Sequence, residues 1–207
     1  MKSIYTVILL VLAGINCIAQ NQTNKEPAVQ IIARSYSDHI VLRFFASTAA
    51  SFNTAIKAGY VIERADYKQG VEYDKLSYAT LKNSPFKRWP DEKWEKGIIE
   101  TDKTDTVSAS LAALAYGLTK NEGAGSGNIM ANGMESLKEE FEKQNKQFLY
   151  CLLAANRSKL AAEGVASSIT DNDVVLNNTY VYRIYIINSA DTGKKVFTYL
   201  KSLKSIF

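Results

Sequence analysis

Two carboxylates one residue apart are the first place to look for chemistry in this chain, and Asp171 and Asp173 flank Asn172 in that way. Such a pair can open a calcium loop, but that loop also needs a following Gly and a distal Glu, and neither comes here. The run therefore reads as turn chemistry, in which Asp and Asn bond to nearby peptide groups. Glu63 beside Arg64 fits a pocket pair or a solvated sheet face equally well. His39 is the single histidine, without a spelled-out nucleophile or companion metal ligands, and reads as a turn residue at the start of a strand. Cys151 sits among Leu149, Tyr150, Leu152 and Leu153 and reads as a small buried hydrophobe. Gly123, Gly125 and Gly127 are spaced like a phosphate-cradling loop, yet no strand precedes them and no Lys-Ser or Lys-Thr pair follows. They read as a flexible connection between helices. No catalytic set, metal or cofactor is expected from these residues.

Aromatic residues offer binding in place of catalysis. Trp89 and Trp94 stand five apart in PFKRWPDEKW, and Tyr73 and Tyr78 lie just upstream. Pro85 and Pro90 predict an irregular segment over residues 85–98, on which the two indoles either pin the chain to a core or form a ligand platform. Trp89, Trp94, Tyr73 and Tyr78 are the candidate contact residues.

The elements that must position them begin after an export signal. Residues 1–19 hold one Lys, an apolar run too short to span a bilayer and a small-residue exit, the pattern of a secretory signal peptide cleaved after Ala19. Cys17 offers lipid anchoring as an alternative exit, although Gly14-Ile15-Asn16 lacks the Leu and the small residue that such a signal uses. Residues 20–27 read as a polar linker ending at Pro27, and residues 28–207 as a single domain with no transmembrane segment. Hydrophobic residues make up 46% of the chain, enough for a core, and only Cys151 survives cleavage, so no internal disulfide can brace it. The net charge of +4 includes Lys2, and so slight an excess points away from nucleic acid.

Two clusters of strand pattern lie at 29–65 and 169–203, separated by helical periodicity. Val29, Ile31, Ala33 and Ser35 alternate with Gln30, Ile32, Arg34 and Tyr36, a Ser37-Asp38 turn follows, and Ile40, Leu42 and Phe44 share the face of the next strand. Ser47 or Thr48 can cap a short helix ending at Gly59, and Tyr60 to Arg64 resume the strand pattern. Leu76 to Leu81 read as an edge strand. Thr104 or Asp105 can cap a helix with Val107, Leu111, Leu114, Ala115 and Leu118 as its apolar stripe. Residues 134–155 form the longest helix, with Leu137, Phe141, Phe148 and Leu152 inward, and a short helix at 158–163 stops at Gly164. These helices, at about 104–163, are expected to be an insertion without a core of its own.

ITDNDVVLNNTYVYRIYI at 169–186 resembles the run into and along the sixth strand of a fibronectin type III domain. ARSYSDHIVLRFFA, GYVIER, the PFKRWPDEKW segment and LLAANRSKLAAEGVASSITDNDV are similar to parts of such domains in secreted proteins of Bacteroidetes. The resemblance implies a mainly β, immunoglobulin-like sandwich with a helical insertion between its early and late strands. It also implies a corner tyrosine, for which Tyr180 is the candidate, whose hydroxyl bonds to nearby backbone. Relatives of this kind are commonly longer and carry repeated sandwich domains. Asp105-Thr106-Val107 resembles an acceptor triplet for O-glycosylation in the same bacteria.

The expected function is a non-enzymatic module, secreted, periplasmic or on the outer surface, that binds a protein or surface glycan or acts as a spacer in an envelope assembly. The alternative is a small hydrolase acting on glycans, which would need two carboxylates converging in a cleft.

Overall fold

In the computed structural model, which describes residues 29–120, 129–187 and 198–203, strand β1 (Val29–Ser35) turns back antiparallel onto β2 (Ile40–Ala46). The Tyr36 amide donates to the His39 carbonyl at 2.8 Å across that turn. β3 (Tyr60–Asp66), β4 (Ala79–Thr80), β5 (Ser168–Asp171), β6 (Thr179–Ile186) and β7 (Thr198–Leu203) complete two antiparallel sheets, ordered β1-β2-β5 and β4-β3-β6-β7. The expected signal peptide at 1–19 with Cys17, the expected linker at 20–27, the glycine-rich run at 121–128 and residues 188–197 lie outside the described residues.

Alternation explains the strand half. Val29, Ile31, Ile40, Leu42 and Phe44 of one sheet meet Tyr60, Ile62, Tyr180, Tyr182 and Ile184 of the other in a shared core. β2 is covered on both faces, because Phe44 turns into this core while its neighbour Phe45 turns the opposite way, into a second core made by helices. Only Ala79 and Thr80 of the expected edge strand pair, after a 3₁₀ turn at Tyr73–Lys75.

Five α-helices build that second core: α1 (Ala49–Ala58), α2 (Asp91–Asp102), α3 (Thr106–Lys120), α4 (Ile129–Arg157) and α5 (Lys159–Gly164). Thr48 caps α1 through its hydroxyl, which accepts from the Ser51 amide at 3.1 Å, and Gly59 ends it at φ 99°, a conformation that favours glycine. Asp105 caps α3 by accepting from the Ser108 amide at 2.9 Å. α2 was not legible as a helix. Pro90 reads as a breaker, but it stands at the N-cap, where its missing N–H deprives the helix of nothing, and Asp91 and Glu92 occupy the favourable first turn.

The buried faces of α3 and α4 differ from the expected stripes. α3 buries Ala109, Ala112, Ala115 and Thr119, so that of the expected stripe Ala115 is inside, Leu111 and Leu118 pack against the core, and Val107 is 71% and Leu114 43% exposed. α4 buries Cys151, Ala154 and Ala155 and packs the expected Phe148 against Phe45 and Phe52, leaving Phe141 66% exposed and Leu152 on the outside. The reason is Trp94. Its indole is wholly buried and fills the centre of the helical core, and the helices close on it through small side chains. A methyl at Gly164 would sit 2.2 Å from the Trp94 ring, so α5 can approach only with glycine there.

The mainly β, fibronectin type III-like sandwich with a helical insertion is therefore corrected. Helical residues outnumber strand residues in the described chain, and the sheets are two small ones, of three and four strands with β4 only two residues long. The helices are not an insertion draped on a sandwich. Those after β4 begin at Asp91, ahead of the expected start at about 104, and together with α1 they own a core that reaches through Phe45 to the back of β2.

Candidate functional site

One outer edge of the three-stranded sheet is β5. Facing it across a gap is the segment that leads from β4 into α2, anchored where Tyr60 and Phe86 exchange amide-to-carbonyl bonds of 2.9 and 2.8 Å. The Trp89 amide donates to the Gly164 carbonyl at 2.9 Å and closes one end of the gap. The result is an open cleft of about 350 Å³. Pro85, Phe86, Ala166 and Ile169 supply apolar surface, Trp89 and Lys93 also line it, and Asn83, Lys87, Glu163, Ser168 and Thr170 add polar groups.

Local packing holds Trp89 in place. Its ring meets Trp94 edge-on at 5.9 Å, and the Lys93 ammonium lies 3.8 Å from the ring centroid, a cation–π contact. Arg88 braces the entry to α2, donating to the Trp89 carbonyl at 2.9 Å, to Asp91 Oδ1 at 2.8 Å and to Thr119 Oγ1 at 3.0 Å. The hydrogen bond from Arg88 holds the Asp91 carboxyl below its ordinary range. Lys120 is pushed upward by its hydrogen bond to the Tyr116 hydroxyl, with Asp91 and Glu95 nearby.

A partly buried indole, two lysines, a carboxylate and hydroxyls in one cleft can stack, attract anions and exchange hydrogen bonds. Two-carboxylate hydrolysis would need a second acid beside Glu163, and the cleft lining contains none. A second groove of about 300 Å³, between β1, β2 and α4, is mainly apolar and contains Arg43 but no carboxylate. Arg43 donates to the Ala155 carbonyl there, and burial lowers its pKa.

The expected contact residues do not form one patch. Trp94 is corrected from a contact residue to the centre of the helical core, with no exposed surface. Its Nε1–H has no acceptor among the described residues, so shape alone holds the indole. Trp89 lines the cleft. Tyr73 and Tyr78 belong to another region, packed over the outer face of the β3–β6 pair. The Tyr78 ring lies 3.9 Å from the Arg183 guanidinium, which also bonds Glu63 across the strands, and the Tyr78 hydroxyl donates to the Tyr73 carbonyl at 2.9 Å. Glu63 is thus half of a cross-strand pair.

Arg64 instead reaches across the sheets. One guanidinium nitrogen donates to both Asp171 oxygens at 2.9 and 2.8 Å and to the Asp173 carbonyl at 2.6 Å, while the Tyr182 hydroxyl donates to Asp171 Oδ2 at 2.8 Å. Burial works against the Arg64 charge, but the Asp171 carboxylate outweighs it and raises the Arg64 pKa. Burial and then Asp171 push the Tyr182 hydroxyl far up. Asp171 also accepts from the Asp173 amide at 3.1 Å, the turn chemistry expected of that run. The Tyr180 hydroxyl accepts from the Val175 amide at 2.8 Å. His39 stacks on Tyr36 at 4.5 Å in the β1–β2 turn. Cys151 is buried in the seam of α4. Thr106 and Val107, in the triplet begun by the capping Asp105, are exposed at the start of α3. Among the described residues no three His, Cys, Asp or Glu converge as metal ligands, and no helix is long and apolar enough to cross a membrane.

No family model, no curated protein and no solved structure matches this chain. Sequence reasoning pointed to Trp89 but missed the other walls of its cleft. Lys87 and Lys93 were within reach, since both lie beside the tryptophan in the chain. Glu163, Ser168 and Thr170 come from far along the sequence and are joined to Trp89 only by the Trp89–Gly164 backbone bond and the placement of β5.

Proposed function

We propose that this protein is a non-enzymatic binding module of the secreted or envelope compartment, taking a protein or surface glycan into the Trp89 cleft. The export-type N-terminus supports the compartment. The observation that carries the binding reading is the partly buried Trp89 ring on the cleft wall, fixed by Trp94 and Lys93 beside polar groups of β5 and α5. An aromatic face held rigidly in a polar cleft gives a ligand apolar area with little entropy lost on ordering the site. The separate Tyr73–Tyr78 region does not line the cleft and serves as a control.

The test is glycan-array and pull-down screening with the purified protein, its Trp89→Ala variant and its Tyr78→Ala variant. Trp89→Ala should weaken capture about tenfold or more, the scale of a central aromatic contact. Tyr78→Ala should leave capture unchanged. Undiminished capture by Trp89→Ala would remove the cleft as the binding site.

A further inference from the structure

β5 is an outer strand, and the phase of its ladder is set by the bond from the Phe44 amide to the Ser167 carbonyl at 2.9 Å. Alternation then directs the peptide groups of Ile169 and Asp171 toward β2, opposite Leu42 and Ile40, and those of Ser168 and Thr170 outward. The same two residues line the Trp89 cleft, Thr170 exposed and Ser168 buried at its floor, and among the described residues neither outward peptide group has a backbone partner. An edge of this kind is a template for another strand, and here it is only four residues long and partly walled by the segment facing it. The charge at the cleft is unbalanced. Lys87 and Lys93 are exposed on its wall, whereas its carboxylate, Glu163, lies 3.7 Å from Lys159.

We propose that the ligand of the cleft is an extended acidic segment of another protein, which adds to the free edge of β5 and places a carboxylate side chain between Lys87 and Lys93. This rests on the cleft being the binding site and names its ligand class. Main-chain bonds to Ser168 and Thr170 supply affinity independent of sequence, and the lysine pair selects the acidic residue, the division of labour expected of strand addition. An edge strand carries its hydrogen-bonding groups at strand spacing, which suits a peptide backbone better than it suits a sugar ring.

The experiment uses the full chain on two arrays. One holds nonapeptides of alternating Val and Ser with Glu, Gln or Lys at the centre, and the other holds neutral and uronate-bearing oligosaccharides. Binding is expected in the order Glu, Gln, Lys. N-methylation of the alternate peptide nitrogens that face β5 should abolish it, and N-methylation of the intervening ones should not. Thr170→Pro, which removes the outward N–H, should weaken Glu-peptide binding about tenfold. Circular dichroism shows whether that variant folds, and if it does not, the N-methylated peptides read the same bonds from the other side. Trp89-dependent binding of oligosaccharides without peptides would overturn the strand-addition inference while the cleft reading stands. Peptide binding that ignores N-methylation would also overturn it, and silence on both arrays would overturn inference and cleft together.

Discussion

The strand half and the helical half of this protein bury apolar surface by opposite means. In the strand half the core is made of large side chains, Ile40, Leu42, Tyr60, Ile62, Tyr182 and Ile184, each placed inward by simple alternation. In the helical half Trp94 is enclosed by the small side chains Ala112, Ala115, Cys151, Ala154, Ala161 and Ala162 beside a cluster of Phe45, Phe52, Ile56 and Val165, while Val107 and Leu114 of α3 and Phe141 of α4 stay exposed. The difference teaches that hydrophobic size marks the buried face of an element only where the spacing between elements is set by large side chains. Sheets sharing a core leave room for them. Where α3, α4 and α5 close on the indole they present small surfaces, and some of their bulky residues, Val107, Leu114 and Phe141 among them, stay outside.

The strongest way to break the comparison is to remove the ring. Trp94→Ala should cost about 3–5 kcal/mol in urea unfolding, the scale of a fully buried tryptophan. A loss below about 1 kcal/mol would show that the helical half has no core of its own. In the strand half, Leu42→Ala should cost about 2–5 kcal/mol, whereas Leu114→Ala on the outer side of α3 should stay within about 0.5 kcal/mol. Equal losses at the two leucines would erase the distinction. Gly164→Ala tests the close approach directly. The added methyl collides with the Trp94 ring, and overpacking of that kind should cost about 1–3 kcal/mol.

A pH series separates the halves more finely, because the strand core contains buried tyrosines. Tyr60 and Tyr182 both have hydroxyl pKa values raised, mainly by burial. A folded-state pKa raised above the unfolded one stabilises fully below the unfolded value, and that contribution is lost as pH rises toward the folded value. Above about pH 10, where an unfolded tyrosine ionises, stability should fall by about 1.4 kcal/mol per pH unit for each of the two. Tyr182→Phe should remove one of these contributions, halving the alkaline slope in urea titrations. An unchanged slope would mean that Tyr182 ionises as readily folded as unfolded. The smallest effect is expected at the cleft, where Glu163→Gln should leave stability within about 0.5 kcal/mol while strengthening capture of an acidic peptide several-fold, as read by fluorescence anisotropy.

Much of the strand half was legible because alternation is local. Ile40, Leu42 and Phe44 on one face, the aromatic run of β6, the Thr48 cap and the Gly59 stop all follow from neighbours in the chain. α2 was not legible because Pro90 suits both a break and a helix start, and only the surroundings choose. The inner faces of α3 and α4 were hidden for a related reason. Both helices carry two plausible stripes, one large and one small, and the ring they enclose lies on a different helix.

Of the candidate site, Trp89 was visible as a residue type but not as distinct in fate from Trp94. Spacing alone places the two indoles in one short segment. Their separation into a cleft wall and a core centre depends on α5, whose Gly164 admits the Trp94 ring and whose carbonyl holds the Trp89 backbone. By itself, then, the sequence determined most of the strands and several caps and stops, since these depend on local geometry. Tertiary structure decided the balance of helix over sheet, which faces are buried and what lines the cleft. Those outcomes depend on how closely distant elements approach, and a single side chain such as Trp94 sets that distance.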